Sequence, residues 1–227
     1  MVALVCEADH LVSMVAAIHE FLGHHSEGSK LDSHSDSDLP AVQRVSIANV
    51  NSKNQIVLSG SIKQIDALLT HLRQFAGHDP RAVRLKSDSP FHSPLMKPAA
   101  DLMHTLLDQP SSTSKGADTV IWPGLMPCIS NVSARPFESQ RQLKDYLSRQ
   151  CVETVAWHES IVYLHKEAKV RRWIGIGPGK VGRNLVGKEV GMKGAVKGGG
   201  VWGISDPREV EGILRDLDRT EVVEEEE

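Results

Sequence analysis

The stretch Asn49-Val50-Asn51-Ser52-Lys53-Asn54-Gln55-Ile56-Val57-Leu58-Ser59-Gly60 decides the reading of the first part of the chain. Residues 49–54 have the Asn and Ser content of a tight reversal, and the flanking runs 42–48 and 55–59 read as strands, so a hairpin is predicted. Downstream, Ser61 with Gln64 makes a capping-box pattern that opens a helix with Ile62, Ile65, Leu68, Leu69 and Leu72 on one stripe. Residues 82–85 supply a further strand. Upstream, a strand at 2–6 leads into a helix whose Leu11, Met14, Val15, Ile18 and Leu22 share one face. The order β-α-β-β-α-β is the ferredoxin-like arrangement, and residues 1–86 are read as one small subdomain. Residues 23–40, crowded with Ser, Asp, His and Gly, are expected to be a mobile surface loop.

From residue 87 the pattern changes to strands followed by helices, the signature of an α/β layer with a parallel sheet, and residues 87–217 are read as part of a second subdomain. A helix is predicted over 94–107 with Leu95, Ala99, Leu102, Met103 and Leu106 inward, and a strand over 126–132. Ser139 with Gln142 caps a helix ending near Gln150. A helix over 157–167 precedes a strand at 170–176, which runs into Gly177-Pro178-Gly179-Lys180 and another helix. Asp206, Pro207 and Glu209 give the last helix a cap, a first-position proline and a capping-box acid. Residues 218–227 form an acidic tail.

Composition narrows the classes. Five glutamates of the tail, Glu221 and Glu224 to Glu227, more than account for the net charge of −3 over 227 residues, so the body is close to neutral. It lacks the aromatic interleaving of nucleic-acid platforms, which argues against DNA or RNA as partner. The longest uncharged apolar run, residues 11–18, is far short of the roughly 20 residues that span a bilayer, so no membrane segment is expected. Met1 is not followed by the basic start and small-residue cleavage site of a signal peptide. Cys6, Cys128 and Cys151 lack paired spacing and read as reduced thiols of an intracellular protein, with no metal site.

Of the histidines, His92 stands apart. It lies just after a strand and immediately before a helix, where α/β proteins place catalytic groups, although a buried helix-capping histidine is an equal reading on position alone. His92 with Leu95-Met96-Lys97-Pro98-Ala99 resembles the catalytic-histidine segment of the malonyl-CoA:acyl-carrier-protein transacylases. Residues 49–60 are similar to that family's Asn-x-Asn-Ser hairpin and Asn131-Val132 to its central strand. Arg149-Gln150, Trp157 and Gly177-Pro178-Gly179-Lys180 complete the series. Residues 128–137 and 170–191 look most like fungal mitochondrial members, whose glycine-rich extension resembles residues 191–203.

The resemblance implies the C-terminal half of an acyltransferase, α/β-hydrolase-like large subdomain behind the small one. It implies transfer of malonyl from CoA to acyl carrier protein in fatty acid biosynthesis through a serine ester, in the mitochondrial matrix. The expected partners are malonyl-CoA and acyl carrier protein, with no cofactor, and the complete enzyme is expected to be a monomer. His92 is then the general base, a role that suits imidazole with its near-neutral pKa. The backbone carbonyl of Gln150 is expected to orient it, within about 3.2 Å of Nδ1. Phe91 and Asn51 are the expected substrate-binding residues, and Phe91 could crowd the extra methyl of methylmalonyl, a difference worth roughly 1–3 kcal/mol.

Departures from the family count equally. Its Gly-His-Ser-x-Gly nucleophile turn, carboxylate-binding arginine and oxyanion-hole glutamine lie ahead of its hairpin subdomain, and this sequence begins inside that subdomain. The expectation is an N-terminally truncated, inactive chain; a non-catalytic module for carrier protein or CoA, or a shortened gene reading, is the alternative. Gly23-His24-His25-Ser26-Glu27-Gly28 follows a helix and enters a polar loop, which excludes Ser26 as a nucleophile. Residues 175–182 fit neither phosphate-loop spacing nor G-x-G-x-x-G. Residues 198–200 with Lys193 and Lys197 could approach a phosphate; a flexible connector is the default.

Overall fold

The computed structural model describes residues 1–23, 45–87, 89–111 and 118–220. The expected mobile loop lies almost wholly outside them, as do Ser26 and the glutamates of the tail. The chain forms two compact units, residues 1–158 and 159–227.

The first unit begins with β1 (Val2–Val5) and α1 (Leu11–Phe21), then β2 (Val45–Ser52), β3 (Gln55–Gly60), α2 (Ile62–Gln74) and β4 (Arg81–Arg84). The strands form one antiparallel sheet in the order β2-β3-β1-β4, the ferredoxin-like topology. Leu4, Ile56 and Leu58 of the sheet meet Met14 and Ile18 of α1 and Ile65, Leu68 and Leu72 of α2, all fully buried. Burying each such side chain contributes about 1.5–3 kcal/mol, which is why the periodic stripes specify the layer. Ser61 does occupy the N-cap of α2, but its side chain takes no capping hydrogen bond, so the capping box expected there does not form.

The hairpin is longer than the sequence implies. Pairing continues through Asn49 and Val50 to Ser52, and only Lys53 and Asn54 turn. The register shifts between Ile47 and Asn49 and again between Val50 and Ser52, so Ala48 and Asn51 are the extra residues of two bulges. A bulge takes backbone groups out of the ladder. Here the freed Ala48 carbonyl accepts from Val155 N at 2.8 Å, Val50 N donates to Val155 O at 3.0 Å, and Thr154 Oγ1 donates to Ile47 O at 2.6 Å. Residues 154–156 are thereby fastened to β2, which is why the first unit runs to His158 rather than closing near residue 86.

The rest of this unit contains α3 (Lys97–Asp108), preceded by a 3-10 turn at Pro94–Met96, and α4 (Gln140–Arg149), which pack on each other. Leu102, Met103 and Leu106, expected inward, are largely exposed, while Ala100 and Leu107 are buried. Among the described elements only α4 makes an extensive contact with α3, so one flank of its apolar stripe stays uncovered. The strand expected at 126–132 is absent: the segment has a single isolated bridge, Ile129 with Pro136, and no neighbouring strand to form a ladder.

The helix α5 (Trp157–Lys166) leads into the second unit, with β5 (Arg172–Ile176), α6 (Val181–Val190), β6 (Gly194–Val196), β7 (Gly199–Ile204) and α7 (Val210–Arg219). Its sheet has the order β5-β7-β6, parallel between β5 and β7 and antiparallel between β6 and β7, so it is mixed where a parallel sheet was expected. The expected flexible connector is the β6–β7 hairpin itself. A Cβ on Gly199 would lie 2.5 Å from the Arg171 carbonyl oxygen, so glycine there permits close strand packing rather than looseness. The capping box of Asp206 and Glu209 forms as expected, on a 3-10 turn that continues into α7. That helix runs to Arg219, and Thr220 behind it is buried, so residues 218–220 end the helix instead of starting a tail.

Candidate active site

His92 is held by its backbone before its ring. Its φ is +57°, a left-handed conformation that non-glycine residues rarely adopt and that is a recurrent feature of functional positions. Two contacts over-determine it. The buried Ser93 donates from Oγ to Pro90 O at 2.6 Å, closing the turn, and His92 N donates to Cys151 O at 3.1 Å. This aims the ring at the end of α4.

There Nδ1 lies 2.7 Å from the Gln150 carbonyl oxygen, inside the hydrogen-bond limit. A carbonyl only accepts, so Nδ1 carries the proton and Nε2 keeps its lone pair. Nε2 has no partner among the described residues. The Gln150 carbonyl, at the C-cap of α4, is one of the terminal acceptors that a helix cannot satisfy internally.

α4 is anchored at both ends. At its start Ser139 Oγ accepts from Gln142 N at 3.1 Å, and Gln142 Oε1 accepts from Glu138 N at 2.7 Å. At its end Arg149 makes paired bonds to Glu153, at 2.6 and 3.1 Å, which hold the guanidinium pKa well above its ordinary value. The Gln150 side chain is fixed as well, its Oε1 accepting from Asn131 Nδ2 at 3.2 Å. Asn131 O in turn accepts from Ala156 N at 2.8 Å, beside the residues fastened to β2.

The expected site residues therefore divide. His92 and Gln150 are brought together. Phe91 is adjacent in sequence and 46% exposed, and Asn51 sits half-buried in a β2 bulge; nothing links either side chain to His92 directly. The Cys151 carbonyl, the Asn131 side chain and the Val155 bridge are further parts of the support. The two prolines that bracket His92, and histidine's tolerance of positive φ, were the available signals.

No protein-family model matches the chain. Over 173 residues, 76% of this chain and 49% of the relative, it is 38% identical to the malonyl CoA-acyl carrier protein transacylase of Bacillus subtilis. Its similarity is to malonyl CoA-acyl carrier protein transacylases. The Synechocystis enzyme of that name is 32% identical over 60% of this chain and 42% of its own length. Among solved structures, the Clostridium perfringens transacylase matches with a TM-score of 0.71 at 22% identity, over 99% of this chain and 59% of that one. The acyl-carrier-protein S-malonyltransferase of Bartonella henselae matches at 0.63 and 26% identity, over 96% and 57%. The chain spans about half the length of the curated relatives it matches.

Proposed function

We propose that this chain is the base-bearing part of a malonyl-CoA:acyl-carrier-protein transacylase, with His92 as general base and acid. The observation that carries it is the Nδ1–H bond to Gln150 O at 2.7 Å, which leaves Nε2 free to accept a proton. In the first transfer, Nε2 takes the proton of a serine hydroxyl as that oxygen attacks the malonyl thioester, and returns it to the CoA sulfur. In the second, it takes the proton of the carrier's phosphopantetheine thiol and returns it to the serine oxygen. The Gln150 carbonyl is the positioning group in both steps. No serine or cysteine side chain among the described residues is bonded to Nε2, and the proposal assigns the nucleophile to the part of such an enzyme that this chain does not match.

A solved malonyl-transacylase held in complex with its acyl-carrier protein shares this fold and supports a carrier protein as acceptor. Phe91 beside the base would favour malonyl over methylmalonyl. The mitochondrial matrix is the proposed location, motivated by the resemblance of residues 128–137 and 170–191 to fungal mitochondrial members, and imaging of the fluorescently tagged full-length product tests it.

The decisive experiment is malonyl loading onto carrier protein. The chain alone should give background, since loss of the serine in a comparable triad costs on the order of a million-fold. Joined in frame to the part of the Bacillus subtilis enzyme that it does not match, it should transfer, and His92→Ala should abolish that transfer while His92→Ala and wild type melt alike. Equal transfer by both joined proteins would defeat the proposal.

A further inference from the structure

Within the second unit, α6, the β6–β7 hairpin and α7 surround a cavity of about 1290 Å³, remote in sequence from His92. That is ample for a nucleotide-sized ligand. Arg183 reaches it from α6, Lys193 from the α6–β6 connection and Arg215 from α7. Among the described residues none of the three is in an ion pair or hydrogen bond. The two acids on the rim are already committed: Glu209 accepts from Ser205 N and Asp206 N at 2.7 and 3.1 Å, and Asp216 pairs with Arg219 at 3.6 Å. Uncompensated cations gathered in a concavity focus a positive potential.

Trp202 of β7 is 5% exposed and contributes to the wall of the cavity, its indole nitrogen itself shielded. Arginine and lysine only donate, so the unpaired groups of this cavity call for a ligand rich in acceptor oxygens and negative charge. Gly212 lines the same space, and a Cβ there would meet nothing within 4 Å. The glycines at 198–200 do not take part as a phosphate loop, since Gly199 and Gly200 are closed against Arg171 and Trp202.

We infer that this cavity is a binding site for a multiply phosphorylated small molecule, held by Arg183, Lys193 and Arg215. Three separated cations favour two or more phosphates over a single carboxylate, and arginine can meet a phosphate with paired hydrogen bonds. The same chemistry is carried by a nucleotide bisphosphate and by free pyrophosphate.

Calorimetric titration of the full chain with adenosine 3′,5′-bisphosphate and, separately, with inorganic pyrophosphate distinguishes these sources. Saturable binding of either, weakening with added salt, is expected; binding of the bisphosphate alone assigns the nucleotide source. The Lys193→Ala/Arg215→Ala double variant, in which both altered side chains are exposed, should weaken binding at least about tenfold with an unchanged melting temperature. Absence of saturable binding to both probes, affinity untouched by the double variant, or equal affinity for a polyglutamate peptide would overturn the assignment. His92→Ala should bind as wild type does, so this test and that of acyl transfer fail independently.

Discussion

Gly187 and Gly212 are both helical glycines, in α6 and α7, and both line the same cavity, yet alanine should act on them with opposite sign. In a helix interior alanine is favoured over glycine by roughly 0.5–1 kcal/mol, because glycine loses more backbone freedom on folding. At Gly212 the new methyl meets nothing within 4 Å, so Gly212→Ala should gain that amount. At Gly187 the same methyl would stand 2.7 Å from the Met192 carbonyl oxygen, well inside the roughly 3.5–4.0 Å of ordinary contact. The oxygen cannot swing away alone, because Met192 N donates to Gly187 O at 3.1 Å and ties the chain leaving α6 back onto the helix. Overpacking of this kind costs about 1–3 kcal/mol, which exceeds the propensity gain, so Gly187→Ala should be destabilising by up to about 2 kcal/mol. Urea denaturation followed by circular dichroism reads both, and the midpoints should move in opposite directions. A Gly187→Ala midpoint raised as far as that of Gly212→Ala would refute the reasoning and with it the close approach of Met192.

Two other outcomes follow from the first unit. Ser139→Ala removes the N-cap of α4 and should cost about 1 kcal/mol, read as a lower melting temperature, while His92 NMR shows a less uniform Nδ1–H tautomer as the Gln150 carbonyl loosens. Hydrogen bonding to Lys144, at 3.1 Å, holds the Asp118 carboxyl below its usual value. A depressed folded pKa contributes stability above the unfolded value of about 3.9 and loses it as pH falls through the folded one, so the stability gap between wild type and Lys144→Met should be constant near neutrality and close in acid; a gap that persists there would exclude this pair as its source.

What could be read in the sequence was whatever local periodicity controls. Ile65, Leu68 and Leu72 recur at helical spacing, and Ile56 and Leu58 alternate, so their burial followed from pattern alone. Leu102, Met103 and Leu106 have an equally good pattern and are exposed, because a stripe shows which face is apolar and not whether another element covers it. The absent ladder at 126–132 has the same origin, since β structure needs a partner that no local signal supplies. The bulges at Ala48 and Asn51 were hidden because they depend on register against β3 and on the distant Val155. At the site, the meeting of His92 with Gln150 was expected from resemblance to a family, whereas the positive φ that aims the ring depends on Ser93, Pro90 and Cys151 acting together.

The fastening of residues 154–156 onto β2 also sets a schedule. Every strand of the first sheet lies within the first 84 residues, so on a ribosome that sheet can close while nearly half of the unit is still unmade. The base cannot be oriented then, because its carbonyl belongs to Gln150 and the clasp that steadies the far end of α4 needs Thr154 and Val155. At about 5–20 residues per second the interval is on the order of several seconds. During it β2 presents the Ile47 and Ala48 carbonyls and the Val50 amide with no native partner, an edge open to a chaperone or to a second nascent chain until residue 155 arrives to occupy it.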